Sequence, residues 1–206
     1  MAGLIRDLKG LGWTAVKITQ YGHGICSHDG EPCGCAPEEH PYVLTEEVDA
    51  AGRGDTSRFL AAGARRSLWL RAREGQLGEA LPLLERAWAR EDWVMIESNS
   101  ILQFLKPSLY LFVLDTSQSD FKSSAAELVE RADALVPIGL RAEGRAWPWL
   151  DPQILENKPI FPVPADGYYS SELSRFVRQR LPSSEVRIPW EAATPPPRAK
   201  EQPCQR

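Results

Sequence analysis

Two stretches, DWVMIE (92–97) and LYLFVLD (109–115), are nearly continuous apolar runs of strand length. Runs of that kind mark strands buried on both faces, and such strands belong to parallel sheets covered by helices on each side. The segments around them supply the helices. Leu4, Ile5, Leu8 and Leu11 fall on one helical stripe, with Gly10 and Gly12 as the stop. WTAVKIT (13–19) and RSLWLR (66–71) read as strands, and DTSRFLAAGA (55–64) as a short helix with Asp55 or Thr56 as its N-cap. Leu77, Leu81, Leu84 and Trp88 mark a further amphipathic helix. SSAAELVERA (123–132) is helical, ALVPIG (134–139) and KPIFPVP (158–164) are short strands, and SELSRFVRQRL (171–181) closes the pattern with Leu173, Phe176, Val177 and Leu181. Helix and strand alternate, which gives an α/β domain with a mainly parallel sheet flanked by helices.

At 206 residues the chain fits one domain over 1–190, and the Pro-rich, polar residues 191–206 read as a disordered tail. Hydrophobic residues make up 43%, with seven Trp and six Phe, which is enough for a sizeable core. A formal net charge of -4 gives no reason to expect nucleic acid or an anionic membrane as a partner. Charges interrupt the apolar residues of MAGLIRDLKGLG, so it has no signal-peptide core, and no apolar run reaches membrane-span length. Three of the four Cys lie within ten residues, which argues against a disulfide scaffold. A soluble, cytoplasmic protein is expected.

That cysteine cluster sits in GHGICSHDGEPCGC (22–35). Cys26, His28, Cys33 and Cys35 form C-x-H-x4-C-x-C, four thiolate or imidazole ligands separated by residues that permit tight turns. Roughly 35 residues separate Thr19 from Asp55, long for a structureless loop, and a zinc ion would give the 20–54 insertion a local core. The alternatives are a loop with incidental thiols or redox-reactive cysteines. His40 reads as an ordinary loop residue.

Glu97 and Asp115 end two of the apolar strands and Asp55 opens a helix. Open α/β sheets bind ligands at the carboxyl ends of their strands, so these acids are candidates for one crevice. Capping or solvation is the competing reading. RAREGQLGEALPLLERAWARED (71–92) interleaves acids with bases and reads as a solvated helical face. Trp147 and Trp149 suit the covering of a sheet edge better than ring stacking.

AVKITQYGHG, DTSRFLAAGARRSLWLR and WVMIESNS, in that order, resemble molybdopterin-guanine dinucleotide biosynthesis protein B and related P-loop GTPases. The resemblance spans about residues 4–139. It implies a P-loop NTPase-like fold and a GTPase-like accessory role in molybdenum-cofactor biosynthesis. Asp55 and Glu97 would be the catalytic, Mg2+-facing acids, and Lys17, His23, Ser98 and Asn99 would contact the cofactor or nucleotide. His23 is equally a fifth candidate metal ligand. Partners would be molybdenum-cofactor biosynthesis proteins, and a homodimer is left open.

The family's phosphate loop, G-x-x-x-x-G-K-[ST], occurs nowhere in these residues. LIRDLKGLGW looks like the second half of the helix that should follow that loop. Either Met1 is an internal methionine of a longer protein, or nucleotide binding has been lost; the missing central strand favours the former. GTP and Mg2+ are therefore expected only for a form with a phosphate loop. A non-enzymatic zinc-binding interaction module on a degenerate NTPase scaffold is the alternative. A sheet lacking its central strand is expected to expose a wide apolar strip.

Overall fold

The computed structural model describes residues 1–21, 41–98, 100–115, 128–139, 152–165 and 169–181. Helix α1 (Ala2–Asp7) passes through a 3-10 turn at Lys9–Leu11 and stops at Gly12, whose φ of 67° is left-handed and suits glycine. Strand β1 (Thr14–Tyr21) follows, then β2 (Tyr42–Glu46), α2 (Asp55–Ala61), β3 (Arg66–Arg73), α3 (Leu77–Trp88) and β4 (Val94–Glu97). A 3-10 turn at Ser100–Gln103 leads to β5 (Leu111–Asp115) and β6 (Ala134–Ile138), with α4 (Pro152–Asn157) and α5 (Ser171–Arg180) after them. The α/β class expected from the alternation is observed. None of the described helices is long and apolar enough to cross a membrane.

The strands form a four-stranded sheet in the order β2-β3-β1-β4 and a two-stranded sheet β5-β6. β1 runs parallel to both β3 and β4, while β2 is antiparallel to β3. Residues beside β6 extend the smaller sheet through parallel bridges from Leu135 to Ile160 and from Ile138 to Val163.

Alternation along β1 and β3 assigns the two faces. Val16, Ile18, Leu68 and Leu70 pack under Leu77, Ala80 and Leu84 of α3. On the other face Ala15 joins Ile5, Leu8, Trp13 and Phe59, together with Leu173 and Val177 of α5. Phe112, Leu114 and Leu135 build a third cluster with Val129 and Ala132. The guanidinium of Arg131 donates to the Leu102 carbonyl at 3.1 Å and so ties the smaller sheet to the turn after β4.

Three expectations need correction. β4 and β5 are not buried on both faces: Val94, Met95 and Ile96 are half-buried, and β5 alternates, with Val113 54% exposed between buried Phe112 and Leu114. Among the described residues only one face of β5 is covered, by the cluster that Phe112 and Leu114 build with Val129 and Leu135. Both strands lie at a sheet margin among those residues, β4 pairing only with β1 and β5 only with β6. The 20–54 interval is not without structure, because Tyr42–Glu46 adds a strand to β3. That removes much of the length argument for a metal-built core. Finally, α2 ends at Ala61, and its N-cap is Gly54, not Asp55 or Thr56.

Tyr110 precedes β5, and its backbone N–H donates to Asp133 Oδ2 at 2.7 Å. Its phenol oxygen is buried without a hydrogen-bond partner among the described residues, and burial pushes its pKa up to about 12. A buried hydroxyl lacking a partner costs stability. Tyr110→Phe is expected to leave stability unchanged or raise it by up to about 1 kcal/mol in urea unfolding.

Candidate functional site

Lys17 is the fourth residue of β1, on the face opposite α3. Parallel pairing sets it beside Glu97, the last residue of β4. Its ammonium reaches Glu97 Oε1 at 3.8 Å and makes a close ion pair with Asp55 Oδ2 at the first position of α2. Arg58, one turn along α2, donates to the other Asp55 oxygen at 3.4 Å. Two acids and two bases, drawn from β1, β4 and α2, therefore meet at one place. The Met1 α-amino group lies in the field of the same acids; burial lowers its pKa, and Glu97 and Asp55 oppose that shift.

The cluster is only partly buried, with Lys17, Asp55 and Glu97 side chains 25%, 32% and 48% exposed. Ion pairs at such exposure contribute roughly 0.2–1 kcal/mol each. They are too weak to organise the fold, yet they hold two carboxylates within reach of one cation. The N-terminal end of α2 also favours negative charge at Asp55.

What positions Asp55 is Glu47, just beyond β2. Its carboxylate accepts from the Thr56 and Ser57 hydroxyls, each at 3.0 Å, and from the backbone N–H groups of Val48 and Asp49 at 3.1 and 3.0 Å. Thr56 and Ser57 are buried, so the start of α2 is pinned to the end of the edge strand. Gly52 lies against this clamp: a Cβ there would stand 2.4 Å from Ser57 Oγ. Sequence reasoning missed Glu47 because no local pattern links it to hydroxyls nine and ten residues on.

The structure brings Lys17, Asp55 and Glu97 together. Ser98 lies next to Glu97, but its hydroxyl caps the following 3-10 turn, accepting from the Ile101 N–H at 3.3 Å. Asp115 ends β5, in the smaller sheet. His23, Asn99 and the four proposed zinc ligands Cys26, His28, Cys33 and Cys35 lie outside the described residues, as do His40, Trp147 and Trp149. Among the described residues no three His, Cys, Asp or Glu side chains converge into a metal cage.

The hydrogen bonds to Glu47, led by the Asp49 amide and followed by the Thr56 and Ser57 hydroxyls, hold its pKa below the ordinary glutamate value. A depressed carboxylate pKa contributes stability that is present above the unfolded value and lost as pH falls through the folded value. Glu47→Gln is therefore expected to destabilise the protein at neutral pH and to flatten the stability loss on acidification below about pH 4.5. Thermal melts across that range, with an unchanged acid limb as the contrary result, check this.

Comparison with protein-family models, curated proteins and solved structures finds no match for the chain, so any functional reading rests on the chemistry of these residues.

Proposed function

We propose that this chain carries the acidic half of a nucleotide-dependent site on a P-loop NTPase-like scaffold. Its role would be that of an accessory protein in molybdenum-cofactor assembly, as the resemblance of its strand-end motifs implies. The convergence of Asp55, at the start of α2, and Glu97, at the end of the parallel strand β4, on one cation carries the reading. Mg2+ in phosphate sites is commonly held by one or two carboxylates together with the phosphates themselves. Asp55 and Glu97 fit that donor set. Lys17 and Arg58 balance the two acids, and because these contacts are partly exposed the carboxylates can exchange them for a metal ion.

Phosphate affinity in such folds comes largely from the backbone N–H groups and lysine of a Gly-rich loop. These residues contain no G-x-x-x-x-G-K-[ST]. Residues 1–206 by themselves are expected to show no GTP binding at micromolar nucleotide. A form extended upstream by a strand and such a loop is expected to bind GTP with Mg2+, and Asp55→Ala or Glu97→Ala should weaken it at least about tenfold. Micromolar binding by residues 1–206 alone in calorimetry, or binding indifferent to both acids, would overturn the assignment.

The density of ligands in C-x-H-x4-C-x-C favours a second reading, a zinc-binding interaction module. On that reading the purified protein carries about one zinc per chain, and Cys33→Ser or Cys35→Ser releases it while the sheet stays folded. Metal-free protein prepared without chelators, with all three thiols freely titrating, would exclude it.

A further inference from the structure

A cleft of about 420 Å³ lies where the last turn of α3 crosses the start of β3, lined by Arg66, Arg86, Ala87, Ala89, Arg90 and Glu91. Its single carboxylate is already engaged. Glu91 accepts from Thr14 Oγ1 at 2.9 Å and from Arg66 Nη1 at 3.1 Å, and it makes a close ion pair with Arg65. Its side chain is only 9% exposed. Arg66 is committed as well: Nε and Nη2 donate to the two oxygens of Glu46 at 2.9 and 2.7 Å, and Nη1 also donates to the Ala87 carbonyl at 2.8 Å.

Arg86 and Arg90 differ. Both are exposed, and among the described residues neither has a hydrogen-bond or ion-pair partner. Arg86 lies in the last turn of α3 and Arg90 two residues beyond the helix end, and both line the same cleft. The charges on the wall below them are paired with one another, so the cleft's unspent capacity is cationic, on a chain whose net charge is -4. Guanidinium forks match oxyanions in a bidentate manner. Two such forks lining one cleft can each take an oxyanion, which suits a ligand with two linked oxyanion groups.

We propose that this cleft binds a diphosphate-type dianion through Arg86 and Arg90, with Arg66 and Glu91 as a fixed floor. The site is distinct from the Lys17 cluster. Arg66 pairs with Thr14 at the first position of β1, and α3 covers the sheet face opposite Lys17, so the sheet itself separates the two.

The test is titration of residues 1–206 with inorganic pyrophosphate at low ionic strength, followed by amide chemical shifts and calorimetry. Saturable binding in the millimolar range is expected, with shifts centred on residues 86–91 and weakening as salt rises. Arg86→Ala/Arg90→Ala should reduce affinity more than tenfold while thermal unfolding stays cooperative, and Lys17→Ala should leave it unchanged. No saturable binding, binding indifferent to the double substitution, or loss on Lys17→Ala would overturn the proposal. The GTP experiment on the extended form reads Asp55 and Glu97 instead, so the two assignments fail separately.

Discussion

The parallel register of β1 against β3 and β4 is the constraint on which the rest depends. Side chains alternate along a strand, so Val16 and Ile18 enter the core beneath α3 only while Lys17 faces the other way. A slip of one residue would drive an ammonium under Leu77 and Leu84 and bring two aliphatic side chains out. Burying a charge without a partner costs several kcal/mol, and exposing each aliphatic residue loses roughly 1.5–3 kcal/mol. With that register set, Lys17 stands beside Glu97, and the start of α2 brings Asp55 to the same point.

Two carboxylates fasten the framework at places where packing alone leaves freedom. Glu91 ties the loop before β4 to the first residues of β1 and β3, through Thr14, Arg65 and Arg66. Glu47 fastens the end of the antiparallel edge strand to the start of α2. The first is nearly buried and cannot be left without donors, since a lone buried charge is strongly unfavourable. The second is wetter and acts through geometry: it sets where Asp55 sits relative to β1. The Lys17 cluster is thus positioned by Glu47 and by strand register, and its own ion pairs, partly screened by solvent, refine a placement already made.

The division into two sheets bears on the functional reading. β4 and β5 each use one edge among the described residues, and Met95 and Leu111 both pack against the cluster built on Ile5, Leu8 and Trp13. β4 is half-buried along its apolar residues and β5 alternates, rather than showing the full burial their composition suggests. Glu97, at the end of β1's neighbour β4, and Asp55, at the start of α2, both reach Lys17 of β1, while Asp115 ends a strand of the smaller sheet. That is why a nucleotide-dependent reading centres on Asp55 and Glu97 and not on Asp115.

The sequence alone determined the types of most elements, where local periodicity writes them: Leu77, Leu81 and Leu84 at helical spacing, Val16 and Ile18 at strand spacing, Gly12 where a left-handed residue ends the first helix. The short helix Pro152–Asn157 had no such pattern. The sequence also pointed to Asp55, Glu97 and Asp115 as acids of one crevice, since strand ends and helix starts gather on one side of a parallel sheet, and to Lys17 through the family resemblance. Of these the structure brings Lys17, Asp55 and Glu97 together and leaves Asp115 in the smaller sheet. The sequence did not contain the antiparallel strand Tyr42–Glu46, whose mixed composition becomes a strand only by hydrogen bonding to β3. Nor did it contain the Glu47 clamp, or the half-exposure of β4 and β5. Those were decided by tertiary structure, because a carboxylate finds its hydroxyl donors, and a strand its second neighbour, across distances in sequence that no local pattern records.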